Sequence, residues 1–351
     1  VTGAARGFAL SATLALVLAA SVLASSMVGQ LPIGPGEIVG SLLRGAGIPN
    51  DWAPTDPIVE STIWVVRLPR IVMGLAVGAA LAVAGAVMQA VFGNPLAEPG
   101  VVGVSSGAAL GAAAAIVIGG GLGLGAAAGS WTIAVMAFAG GLLATLLVYL
   151  VSRANGRTEV VTLLLTGIAI NAFAGAGLAF LLFVGDTASR EQITFWQLGS
   201  LNGSLWREVG LVVPVVVVGL VVAVVLGRRY DLLALGERNA RHLGVDVEAL
   251  RIGSIVLVAL LTGVAVAFCG IIAFVGLVVP HVIRMAIGPT HRPLIVASAV
   301  GGGALISIAD LVARTVVPGA DLPIGMLTSL IGGPFFFFLL YRQRKRSGGW
   351  A

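Results

Sequence analysis

Apolar runs of about 20 residues follow one another along the chain, separated by short segments that carry most of the charge. A helix of roughly that length crosses the ~30 Å hydrocarbon layer of a bilayer. The pattern predicts helices over 8–29, 68–92, 98–119, 126–151, 158–184, 207–227, 250–272, 275–288, 294–314 and 324–341. A membrane β-barrel would instead show short segments alternating apolar and polar residues, and these runs are continuous. The eighth segment is too short to span, so it is expected as a partial helix packed within the bundle. Two readings fit the first. Arg6 before an apolar stretch, with small residues near Ser25, resembles a cleavable leader, but the length of the stretch favours a retained helix.

Composition supports an all-α membrane protein. The 351 residues are 58% hydrophobic and only 10% charged, with a mean hydropathy of +1.07. Soluble domains carry about 25% charged residues. The 50 glycines show no collagen-like period, and in membrane helices small residues let backbones approach closely. The one cysteine, Cys269, lies in an apolar run and leaves no intrachain disulfide possible. The net charge of +5 does not indicate nucleic acid, because the basic residues flank apolar runs instead of forming a patch with aromatics. With the N-terminus inside, fourteen Lys and Arg fall on the cytoplasmic side and six outside. That bias is the positive-inside signature, and it places both termini in the cytoplasm.

Gly78, Gly85 and Pro95 share their spacings with Gly263, Gly270 and Pro280. Each set starts in the second helix of a five-helix half. Because five is odd, the second half enters the membrane inverted, an arrangement common in transporters. Ion-coupled transporters place ionisable groups within the bilayer, and few are present. Asp310 and Arg314, one helical turn apart, fit a local ion pair better than a relay. A phosphate-binding Walker A loop needs Gly-Lys followed by Ser or Thr, but the only lysine is Lys345, preceded by Arg344. Energy must come from a partner or from a gradient. The segment Tyr230–Arg251 alternates charge with leucine and valine and predicts two short amphipathic helices broken at Gly236 or Gly244. Its apolar side suits another protein, with the charges on a polar rim. The competing view is a solvated loop, against which its length in an otherwise tightly connected chain counts. No zinc-protease motif, Ser–His pair or paired carboxylates at one depth supports an intramembrane enzyme.

The blocks Arg67–Ala108, Ala234–Asp246 (ALGERNARHLGVD), Gly270–Arg284 (GIIAFVGLVVPHVIR), and ADLVAR followed by LPIGMLTSLIGGPFF resemble the FecCD family of ATP-binding-cassette (ABC) importer permeases, which serve iron-siderophores, haem and vitamin B12. The resemblance covers nearly the whole chain. It implies one transmembrane permease domain over 1–351, built as a vitamin B12 permease-like ten-helix bundle of two inverted five-helix halves, with a cytoplasmic coupling segment at 229–249. It also implies a homodimer in the bacterial cytoplasmic membrane, with the path at the dimer interface. Two ATPase subunits would lie below, carrying ATP and Mg, and an extracytoplasmic solute-binding protein would dock above. No cofactor or catalytic residue is expected in this chain. Leu235, Gly236, Glu237, Arg238, Ala240, Arg241, Leu243 and Gly244 match the family's coupling helices. Arg67, Arg70 and Arg314 match outer arginines that receive acidic residues of the binding protein. Arginine's planar fork suits that role. Interfacial anchoring around Pro69 is the alternative for Arg67 and Arg70.

Within the family, Thr194–Trp206 (TFWQLGSLNGSLW) and the ending GGWA resemble haem permeases. Haem is therefore the expected cargo, with ferric siderophores or corrinoids as the alternative and a gradient-driven transporter working alone as a more distant one. An iron ligand would be His, Met, Cys or Tyr. His281 belongs to a block shared by permeases for other cargoes, and His242 and His291 fall in cytoplasmic segments, so no metal ligand is assigned.

Overall fold

In a computed structural model the chain is described at residues 3–121, 125–154, 157–317 and 319–346. Helices dominate: α1 Gly3–Met27, α2 Pro35–Gly45, α3 Pro57–Ser61, α4 Leu68–Phe92, α5 Val104–Gly121, α6 Gly125–Val151 and α7 Val160–Val184. They continue as α8 Thr187–Leu198, α9 Trp206–Leu233, α10 Glu237–His242, α11 Val247–Cys269, α12 Val275–Ile287, α13 His291–Ala313 and α14 Ile324–Arg346. Among the described residues, strand pairing is confined to Arg153–Ala154 against Arg157–Thr158.

A helix occupies every segment where the apolar pattern predicts one. Seven spans among the described residues are long and apolar enough to cross a membrane, while α5, α12 and α14 hold shorter apolar stretches. The chain is a multi-pass membrane protein. The partial helix expected at 275–288 is the 13-residue α12. Three helices were not anticipated. Pro35 at the first turn and Glu37, whose carboxylate accepts the Gly34 N–H at 2.8 Å, start α2. Asp56 caps α3 by accepting the Ile58 N–H. Asp186 caps α8 by accepting the Ser189 N–H at 2.8 Å. A π-helical turn, Thr62–Arg67, makes α3 continuous with α4.

The bundle is organised around α4, which packs against α9, α11, α12 and α13. In an apolar 18-residue stretch of it 83% of the residues are buried, against 11% in such a stretch of Val161–Val184 in α7. Glycine permits the closest approaches. A methyl group at Gly78 would collide with the Gly302 carbonyl on α13, and one at Gly85 with the Gly276 carbonyl on α12. In lipid, no hydrophobic effect draws helices together, so such backbone contact carries the association. Helix α4 ends at Gly93, whose φ of 58° is left-handed.

The paired Gly-Gly-Pro spacings occupy different local structures. Gly78 and Gly85 lie inside α4, whereas Gly270, at φ 69°, lies beyond the end of α11. That left-handed residue breaks the chain between α11 and α12. Phe274, among the described residues the one non-glycine at positive φ, then starts α12.

Replacing Gly78 with valine is expected to cost at least the roughly 1–3 kcal/mol of an overpacked core, because backbone stands in the way. The measurement is the thermal midpoint of the detergent-purified protein. An unchanged midpoint would mean that α4 and α13 can separate freely.

Candidate functional site

The two groups of expected site residues lie at opposite ends of the bundle: Arg70 lies in the first turn of α4, and the last turn of α4 shares a cavity with Gly236 and Glu237. At one end, Arg67, Arg70 and Arg314 come together with Asp310 and Asp321. Arg70 Nε donates to Asp310 Oδ1 at 2.9 Å and its Nη1 donates to Asp321 Oδ2 at 2.7 Å. Arg314 lies 3.5 Å from the other oxygen of Asp310 and donates to the Ser25 carbonyl at 2.6 Å and its hydroxyl at 2.8 Å. Arg67 donates to the carbonyls of Ser26 and Leu31.

These bonds give the arginines an internal task that the sequence did not announce. Arg67 and Arg70 are buried and Arg314 is half-buried. Together they fasten α4 and α13 to the end of α1 and to the loop before α14. Asp310 pairs with Arg314 as its spacing suggests, but its shorter bond is to Arg70, 240 residues away. Asp321 and Ser25 were missed. Single polar residues near helix ends carry no signal of their partners.

At the other end, the segment expected to couple to an ATPase differs in structure from expectation. Instead of two short amphipathic helices, the segment holds one six-residue helix, α10, set between Gly236 at φ 98° and Gly244 at φ 83°. Its flanks belong to α9 and α11, which run further than their apolar cores. Leu235 and Leu243 are 59% and 58% exposed, and Gly236, Glu237, Arg238, Arg241 and Gly244 are also exposed. Ala240 faces inward and is buried.

The base of this segment is firmly held. Glu237 pairs with Arg241 at 2.9 Å and with Arg251 at 2.6 Å. Arg251, nearly inaccessible, also donates to the Thr158 carbonyl at 2.6 Å. Glu248 accepts the Thr158 N–H and hydroxyl at 3.1 and 2.6 Å. Asp231 accepts from the backbone and ring of His291 at 2.9 and 2.8 Å. The six-residue helix is thus tied to the α6–α7 connection and to α11, while α9 is tied to α13. A cavity of about 510 Å³ beside it is lined by the end of α4, Gly236, Glu237, Arg284 and His291. Arg251, Glu248 and Thr158 were not expected in this role.

Of the cargo-related segments, Thr194–Trp206 ends α8 and folds against the α11–α12 break. Ser200 N–H donates to the Cys269 carbonyl at 2.8 Å, and Ile324 N–H donates to the Gly199 carbonyl at 2.9 Å. Trp206 donates to the Trp64 carbonyl at 2.6 Å. The ending GGWA lies outside the described residues. Among those described, no three His, Cys, Asp or Glu side chains gather into a metal-binding group.

The model of the FecCD transport family matches residues 16–342. The chain belongs to this family. It is an ABC-importer permease, similar at 42% identity to the cobalamin import permease BtuC of Halobacterium salinarum, over 86% of this chain and 77% of that one. It is also 42% identical to the hemin permease HmuU of Yersinia pestis, over 82% and 85%. Among solved structures, an inward-facing metal-chelate type ABC transporter superposes with a TM-score of 0.81 at 31% identity, covering 94% of this chain and 98% of that one. A gradient-driven transporter working alone does not fit this membership.

Replacing Asp310 with asparagine removes the carboxylate shared by Arg70 and Arg314. Breaking one partner of a buried pair costs roughly 3–5 kcal/mol, so the variant should unfold at a clearly lower temperature. A wild-type midpoint would show the network to be idle.

Proposed function

We propose that this permease imports haem through a path between two copies of the chain, driven by two ATPase subunits and supplied by a solute-binding protein. The proposal is carried by the separation of unlike surfaces to opposite ends of α4. One end offers exposed leucines on either flank of a braced short helix, and the other offers three arginines beside two aspartates. The first suits an apolar cleft in an ATPase, and the second suits acidic groups of a binding protein. ATP and Mg belong to the partner ATPase, and this chain holds no cofactor.

The finer architecture follows the same reading. The chain forms one permease domain of ten membrane helices in two inverted halves, with both termini cytoplasmic and 229–249 as the coupling segment. Leu235 and Leu243 anchor the ATPase, with Gly236 and Gly244 turning the chain and Glu237, Arg238 and Arg241 forming the charged rim. Ala240 packs the helix inward. Arg67, Arg70 and Arg314 form the docking cluster. The outward apolar face of α7, with Phe173 and Phe180 exposed, meets the second copy across the path.

Haem is supported by the hemin-transporting relative and by the Thr194–Trp206 segment. A corrinoid is the second reading, supported by the cobalamin-importing relative at equal identity. Both cargoes are bulky metal macrocycles, and a path without a strong metal-binding cluster would pass either as an intact chelate.

In vesicles containing the permease, its ATPase and its binding protein, labelled haem should accumulate on ATP addition and outcompete cyanocobalamin and ferric chelates. Uptake of cobalamin without haem would replace the cargo with the second reading. Substituting Leu243 by aspartate should weaken ATPase docking. Exposing one leucine anchor costs about 1.5–3 kcal/mol, or roughly 10- to 100-fold in affinity. Uptake should fall accordingly while the permease stays folded. Undiminished coupling would place the ATPase contact elsewhere.

A further inference from the structure

We propose that Asp321 is a placeholder on the docking cluster: its carboxylate occupies, in the free permease, the position on Arg70 that a carboxylate of the binding protein takes on docking. This rests on the reading of Arg67, Arg70 and Arg314 as the docking cluster and adds a residue that regulates it.

The two ion pairs of Arg70 are unlike. Asp310 is fixed within α13, its side chain is 3% exposed, and it serves Arg314 as well. Asp321 lies on the connection from α13 to α14, its side chain is 27% exposed, and among the described residues its ion pair is with Arg70 alone. The first pair is part of the fold. The second can be reached from outside.

The backbone around Asp321 does not need to move for the carboxylate to leave. Leu322 N–H donates to the Ala313 carbonyl and Ile324 N–H to the Gly199 carbonyl, both at 2.9 Å. The aspartate therefore stands on a pinned support, and rotation of its side chain suffices to release Arg70 Nη1. Exchange is also balanced in charge. Arg70 and Arg314 face the two carboxylates and Arg67 lies near Arg314, so the cluster keeps one excess positive charge that attracts an acidic partner. When a partner carboxylate replaces Asp321, a charge-assisted bond is lost and an equivalent one forms.

Docking is then a competition. Where a competent state is only fractionally populated, the apparent dissociation constant rises by the inverse of that fraction. If Asp321 leaves Arg70 free about one-tenth of the time, removing the carboxylate tightens docking about tenfold. Asparagine keeps the shape of the side chain but competes far less well for a guanidinium.

The test uses the full chain in lipid nanodiscs, the binding protein that supports uptake in reconstituted vesicles, and phenylglyoxal as an arginine-directed probe. Asp321→Asn and Asp321→Ser should each bind the protein several-fold to about tenfold more tightly. Asp321→Glu, which retains a competitor, should dock like the wild type. Without any partner, peptide mass spectrometry should show Arg70 labelled by phenylglyoxal faster in the Asn and Ser variants. Arg67→Lys keeps the charge but loses the fork, so it tests the docking reading separately. Weaker docking of Arg67→Lys with unchanged docking of both Asp321 variants would overturn the placeholder and leave the cluster standing. Unchanged docking in all of them would remove the cluster and the placeholder together. Unaltered Arg70 labelling in the Asn and Ser variants would overturn the release of Arg70 itself.

Discussion

Backbone contact between α4 and its neighbours is the constraint on which this structure depends. Gly78 against the Gly302 carbonyl and Gly85 against the Gly276 carbonyl let α4 lie deep among α9, α11, α12 and α13. Lipid is as apolar as leucine and valine, so burial of those side chains distinguishes poorly between helix partners. Close approach does distinguish, because dispersion contacts accumulate only where surfaces fit. A central helix held this way can be almost wholly buried and still link two ends of different chemistry.

At the arginine end, polar bonds add what close packing does not. Arg70 joins α4 to Asp310 on α13 and to Asp321 beyond it, while Arg67 and Arg314 reach carbonyls near the end of α1. Buried ionic groups of this kind are weak evidence of net stability, but they are costly to leave half-paired. They therefore select one arrangement of α1, α4 and α13 over looser alternatives. The opposite end follows a different rule. There the charges of Glu237, Glu248 and Arg251 brace a short helix from behind, and the leucines on its flanks stay exposed. A rigid backing for exposed apolar anchors lowers the ordering cost of binding another protein.

Several features were legible without coordinates because they depend on local chemistry. Apolar run length placed the membrane helices, and the short run at 275–288 announced α12. Gly236 and Gly244 marked the bounds of α10. The helices α2 and α8 had readable starts in Pro35, Glu37 and Asp186, but their mixed composition hid them behind the stronger apolar signal. The reading of two amphipathic helices at Tyr230–Arg251 failed because α9 and α11 continue past their apolar cores, leaving Gly236 and Gly244 to bound a single turn and a half. Equal spacing of Gly78, Gly85 and Pro95 with Gly263, Gly270 and Pro280 did not imply equal conformation. A glycine is compatible with a helix interior at Gly85 and with a left-handed break at Gly270, and only its surroundings select between them.

The sequence by itself determined that the chain spans a membrane repeatedly, that it has the marks of the FecCD family, and which residues carry charge at each end. Those properties follow from composition, run length and contiguous motifs. Only the tertiary structure decided that Arg70 answers to Asp310 and Asp321, that Arg251 holds Glu237 and Thr158, and that α4 is the buried axis. Each of these joins residues distant along the chain, and such pairings arise from the way helices cross, which no local pattern encodes.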